Sequence, residues 1–120
     1  MKDFRNLLVW QKAHELTLLV YKVTQNFPNE ERFGLTSQMR RSSSSVPTNI
    51  AEGAGRGSDP DFGKFLQIAF GSLSELDYQL ILAFDLGFIA PDRKAQLRAL
   101  LTEVRRMLAT LIRKMQASSR

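Results

Sequence analysis

Residues 58–87, SDPDFGKFLQIAFGSLSELDYQLILAFDLG, are the stretch on which the reading of the fold turns. Ser58-Asp59-Pro60-Asp61 is a helix start: Ser58 or Asp59 caps the free amides, and proline in the first turn has no bond to lose there. Gly87 suits the far end, just past Leu86. Between them Phe62, Phe65, Leu66, Ala69, Leu73, Leu76, Leu80 and Phe84 recur at three- and four-residue steps, which makes one long helix with a continuous apolar stripe. Ile68, Leu82 and Leu86 lie to one side of that stripe, Phe70 and Ile81 to another. This is more apolar surface than one helix face requires within a single chain, and it predicts a homo-oligomer.

Working outward, the preceding segment carries Leu35, Met39, Ser43, Val46 and Ile50 on a helical stripe, with small serines where another helix can approach closely. Pro47 falls inside it, removing a backbone donor and crowding the turn before, so a kink or break is expected near Ser43 to Val46. Apolar spacing resumes at Ile50, which favours one kinked helix from about Leu35 to Ala54. Its opposite face gathers Gln38, Arg41, Ser45, Asn49 and Glu52. Further back, Val9, Ala13, Leu16, Val20, Val23 and Phe27 define a first helix over about Leu7 to Asn26, ending before Pro28, with Trp10, His14, Thr17 and Tyr21 as a flanking line. Forward, Pro91 opens a last helix carrying Leu97, Leu100, Leu101, Val104, Met107, Leu108, Leu111 and Met115. Four amphipathic helices on short connections bury their stripes with least chain as an antiparallel, up-and-down four-helix bundle, one all-α domain over residues 1–120.

Composition narrows the chemistry. The 120 residues include no cysteine, which excludes disulfides, thiolate metal sites and cysteine nucleophiles. The apolar run Leu7 to Trp10 is broken by Gln11 and Lys12, so no signal peptide or membrane span is expected, and the chain is expected to be cytoplasmic. From Ala90 onward eight Lys/Arg face only Asp92 and Glu103, a net +6, whereas the residues before Ala90 sum to −1. Lys94, Arg98, Arg105, Arg106 and Arg113 gather along the flank of the last helix, as a phosphate-contacting surface would require.

Other candidate motifs carry less. Gly53-x-Gly55-x-Gly57 follows a helix rather than the strand of a dinucleotide-binding unit, so it reads as an interhelical turn. His14 is the single histidine and has no carboxylate or imidazole at ligand spacing. The serines at 42 to 45 lack a nucleophile-elbow context and read as a packing device. Arg41, Asn49 and Glu52 are read as an interface or polar network, because buried polar groups persist only when paired. Arg41 and Glu52 lie about three turns apart, so their partners must come from other helices or another subunit.

Three stretches, FRNLLVWQKAHEL (4–16), FPNEERFGLTSQMRRSSSSVPTNIAEGAGR (27–56) and FLQIAFGSLSEL (65–76), resemble the 23S rRNA intervening sequence protein family of bacteria. The resemblance covers about Phe4 to Ile89 and keeps in order Trp10 to Ala13, Leu35 to Gln38, Arg41, Pro47, Asn49 to Gly53 and Ser72 to Leu76. Ser42 and Ser43 stand where the family often has alanine. The resemblance implies a four-helix bundle, ring-like homo-oligomers, typically pentamers, and genes often found within ribosomal RNA intervening sequences. It implies no reaction; an RNA association is suggested by that genetic setting and by similarity to basic bundle proteins that accompany diversity-generating retroelements.

The chain is therefore expected to be a non-catalytic oligomer with no cofactor, metal or small-molecule substrate, binding RNA or another polyanion through basic surfaces. The competing expectation is a protein-interaction scaffold with no nucleic-acid role.

Overall fold

The computed structural model describes residues 2–118. Four helices make up the fold: α1 (Leu8–Thr24), α2 (Leu35–Ala54), α3 (Asp59–Asp85) and α4 (Pro91–Ser118), with short 3-10 turns at Phe4–Asn6 and Asn29–Glu31. There is no strand among the described residues. Around the molecule α1 packs on α2 and α4, and α3 packs on α2 and α4. One apolar core runs between them, from Val20, Met39 and Leu97 at one end to Ile50, Leu66, Val9 and Met115 at the other.

The long helix obeys its end signals. Ser58 is the cap, its Oγ accepting from the Asp61 amide at 3.3 Å, and Asp59 and Asp61 complement the positive helix end. At the other end the Gly87 amide donates to the Phe84 carbonyl and the Phe88 amide to the Ala83 carbonyl, both at 2.9 Å. Gly87 carries a φ of +81° there, the left-handed turn that closes a helix and that a side chain resists. Gly87→Ala is expected to cost about 1 kcal/mol, measured by urea unfolding with an unchanged m-value.

α2 runs unbroken through Pro47. Proline at 47 supplies no amide for the Ser43 carbonyl four residues earlier. The Thr17 hydroxyl of α1 lies 2.9 Å from that carbonyl, and equally 2.9 Å from Ala13 O in its own helix. A side chain from the neighbouring helix thus donates where the α2 backbone cannot, and the defect is absorbed at a helix contact.

The glycine turn is shorter than its sequence spacing suggests. Gly53 is not in the connection: it lies buried within α2, where a Cβ would sit 2.7 Å from Phe65 Cβ and 3.0 Å from Phe62 Cδ1. The turn itself is Gly55 to Ser58.

The serine run is also partly core. Ser42 and Gln79 are 3% and 4% exposed, and the Ser42 hydroxyl donates to Gln79 Oε1 at 2.6 Å. A serine where the family resemblance expects alanine is accommodated because a buried amide oxygen on α3 receives it. The Ser45 and Ser72 hydroxyls meet at 2.8 Å across the same helix pair.

Candidate nucleic-acid interface

The five basic residues of α4 do not form one free patch. Arg98, Arg105 and Lys94 line the seam with α3 and are engaged there. Asp77 of α3 takes Arg98 on Oδ1 and Arg105 on Oδ2, the latter at 2.8 Å. The Arg105 guanidinium also lies 5.6 Å from the Phe70 ring centroid, and the Lys94 ammonium lies 4.0 Å from that of Phe84. Arg98 and Arg105 are seven residues apart, about two helical turns, so both project from the same side of α4 and one carboxylate serves both. The pair keeps donors on the solvent side, since each side chain is more than a third exposed.

Arg113 borders a depression with Gln67, Phe70, Ala109 and Ile112, and its Nη2 lies 3.4 Å from Thr110 Oγ1. Arg106 stands apart on the α1 side. With Lys114 it edges a shallow groove of roughly 360 Å³ floored by Leu7, Leu8, Met107 and Leu111. The structure thus brings Lys94, Arg98 and Arg105 together and places Arg106 elsewhere. Asp77 is the member that sequence reasoning missed. It is 21 residues from Arg98, across a helix connection that no local spacing rule spans.

The second group is likewise divided. Asn49 donates to Ser45 O at 2.8 Å and lies 3.0 Å from Ser45 Oγ, joining it to the Ser45–Ser72 contact between α2 and α3. Glu52 and Arg41 are exposed. Glu52 pairs with Arg56 one turn on, at 3.0 Å, and among the described residues the Arg41 guanidinium has no partner within the chain.

One further ion pair ties α1 to α4. Lys12 reaches Glu103 at 3.4 Å and Glu15 at 3.6 Å. The hydrogen bond to Glu103, then the attraction of the two carboxylates, holds the Lys12 ammonium above the ordinary lysine value. A raised value keeps this tie complete through neutral pH, and it is lost only as pH rises through the raised value. Among the described residues, no cluster of His, Asp and Glu side chains is arranged to hold a metal ion, and no helix is long and apolar enough to cross a membrane.

The fold is similar to a crystal structure from Bacteroides thetaiotaomicron, a protein of unknown function from the S23 ribosomal protein family. The two align with a TM-score of 0.81 and 26% identity, over 88% of this chain and 98% of that one. No curated protein matches the chain in sequence. A family model matches residues 5–110, reaching past Ile89 into α4 as far as Arg98, Arg105 and Arg106 but stopping short of Arg113. By that match the chain belongs to the 23S rRNA-intervening sequence protein family.

Proposed function

We propose that the protein is a non-catalytic, cytoplasmic homo-oligomer, a pentameric ring of antiparallel up-and-down four-helix bundles, that binds RNA or another polyanion through the basic flank of α4. The observation that carries this reading is the line of Lys94, Arg98 and Arg105 on one seam of a segment with net charge +6. Phosphate neutralisation by such cations releases counterions and supplies affinity without sequence selectivity. Repetition around a ring turns several weak contacts into avidity.

The antiparallel arrangement is supported by the pairing of Ser42 with Gln79 and Ser45 with Ser72, in which rising numbers on α2 meet falling numbers on α3. The Ser118 hydroxyl on Asp59 and the Arg98–Asp77 contact repeat the pattern between α3 and α4. Assembly is supported by the exposed Ile68, Tyr78 and Ile81 of α3 and Leu86 just past its end. Those same side chains favour a second reading, a scaffold that presents α3 to a protein partner. A partner retained after nuclease treatment would favour it.

Salt-titrated binding of 23S rRNA fragments tests the leading reading. Replacing Arg98, Arg105 and Arg106 with alanine is expected to weaken binding at least about tenfold and to flatten the dependence of affinity on salt. Asp77→Asn is expected to tighten it severalfold, because two guanidiniums lose their internal anion. No binding at low salt, or binding indifferent to the triple replacement, overturns the reading.

A further inference from the structure

The outward flank of α1 carries a line of aromatic rings at the margin of the core, with Phe4 and Trp10 half-buried against it and His14 and Tyr21 exposed. The Trp10 and His14 rings are stacked, with centroids 5.1 Å apart and planes 10° apart. Phe4 meets Trp10 edge-on at 5.0 Å, and the Arg5 guanidinium lies 4.6 Å from the Phe4 centroid. Trp10 is therefore held by neighbours on two sides, while His14 is exposed. Two turns beyond His14, Tyr21 is 41% exposed and the Arg40 guanidinium of α2 lies 4.7 Å from its ring centroid. Arg40 is fixed there by Thr24 Oγ1 at 2.9 Å and Tyr21 O at 3.3 Å. Leu18, between them in sequence, is 57% exposed.

We propose that this flank, His14 on Trp10 at one end and Tyr21 beneath Arg40 at the other, is a stacking surface for the bases of single-stranded RNA. The proposal rests on the polyanion reading above and gives it a second, chemically different contact. Surfaces that hold single strands combine exposed rings, on which bases stack regardless of sequence, with cations that follow the backbone. His14 and Tyr21 are seven residues apart, roughly 10 Å along the helix, which accommodates about three bases at the ordinary stacking rise of about 3.4 Å.

The charges agree. Arg40 forms no ion pair among the described residues, nor does the exposed Lys22. Of the acids close in sequence, Asp3 is paired with Arg5 and Glu15 with Lys12, which also reaches Glu103 of α4, and Glu31 accepts from the Leu35 amide, while the exposed Glu30 forms no ion pair among the described residues. On α4, by contrast, Arg98 and Arg105 already share Asp77. The α4 seam thus offers phosphate contacts common to any duplex or strand, whereas the α1 flank selects strands whose bases are free to leave their own stack.

Trp10 is the protein's single tryptophan, so its emission reports on this surface alone. The probes are end-labelled 12-nucleotide oligoadenylate and oligouridylate strands and an RNA duplex of equal length, bound to the full chain. Binding of the single strands is expected to quench Trp10 emission. His14→Ala and Tyr21→Ala, both at exposed positions, should each weaken single-strand binding about tenfold while changing duplex binding less than twofold and leaving the melting temperature unchanged. Single-strand binding with unaltered emission and unaltered by both replacements overturns this proposal and leaves the α4 reading standing. No binding of either RNA overturns both. A change in sedimentation mass on replacing His14 or Tyr21 also overturns the stacking role, because it assigns the flank to contacts between protein chains.

Discussion

Gly53→Ala is expected to lower the stability of the folded chain by about 3 kcal/mol, the upper part of the usual cost of overpacking a core. Two effects oppose each other. Within a helix, alanine is better than glycine by roughly 0.5–1 kcal/mol, because it loses less backbone freedom on folding. Against this, the new Cβ would stand 2.7 Å from Phe65 Cβ. The atom it meets is bonded directly to the α3 backbone, so no rotamer change relieves the contact and the two helices must move apart. The steric loss wins. For a chain of this size, a loss of ~3 kcal/mol lowers the melting temperature by roughly 10–15 °C. Calorimetry on the variant measures it, and an equal or higher melting temperature would sink the account of Gly53 as the point of closest approach between α2 and α3.

Thr17→Val should cost about 2 kcal/mol, and the cost should depend on residue 47. Valine keeps the shape of threonine and removes only the hydroxyl, leaving the Ser43 carbonyl with no donor in a buried position; such an orphan costs about 1–3 kcal/mol. Ala13 O, the hydroxyl's other neighbour, lies within an ordinary stretch of α1 and keeps its backbone amide donor. In a Pro47→Ala background the new amide at 47 donates to Ser43 O, so Thr17→Val should then cost less than about 1 kcal/mol. A double-mutant cycle by chemical denaturation reads the coupling directly. Equal costs in the two backgrounds would show that Thr17 does not serve the proline defect.

Helix number and extent were legible because they depend on near neighbours along the chain. The stripe from Phe62 to Leu80, the cap at Ser58, the stop at Gly87 and the restart at Pro91 all express local backbone chemistry, and the structure places α3 and α4 on those signals. α2 is legible for the same reason, even across Pro47, since Ile50 resumes the period. What failed was the reading of polar and small residues. Gln79 and Ala83 are core, although the apolar stripe read along α3 includes neither. Gly53 resembles a turn residue by its spacing to Gly55 and Gly57, yet it serves a helix contact.

The candidate site was legible only as a charge excess. Lys94, Arg98 and Arg105 lie on one flank, as their spacing requires, but Arg106 belongs to another side of α4, and Asp77 qualifies the free charge of two of them. The aromatic line Trp10, His14 and Tyr21 was visible as a flank of α1. That the Trp10 and His14 rings stack, and that the Arg40 guanidinium of α2 lies over Tyr21, was not.

By itself the sequence determined four helices, their apolar faces and a basic last segment, because periodicity, caps and formal charge are properties of residues within a few positions of one another. Only the tertiary structure decided which polar groups are satisfied and which charges are free. The Thr17 hydroxyl on Ser43 O, the Ser42 hydroxyl on Gln79 and the Asp77 carboxylate between two arginines each join residues 21 to 37 positions apart. Whether such groups meet is set by how the helices pack, and no local pattern along the chain encodes that distance.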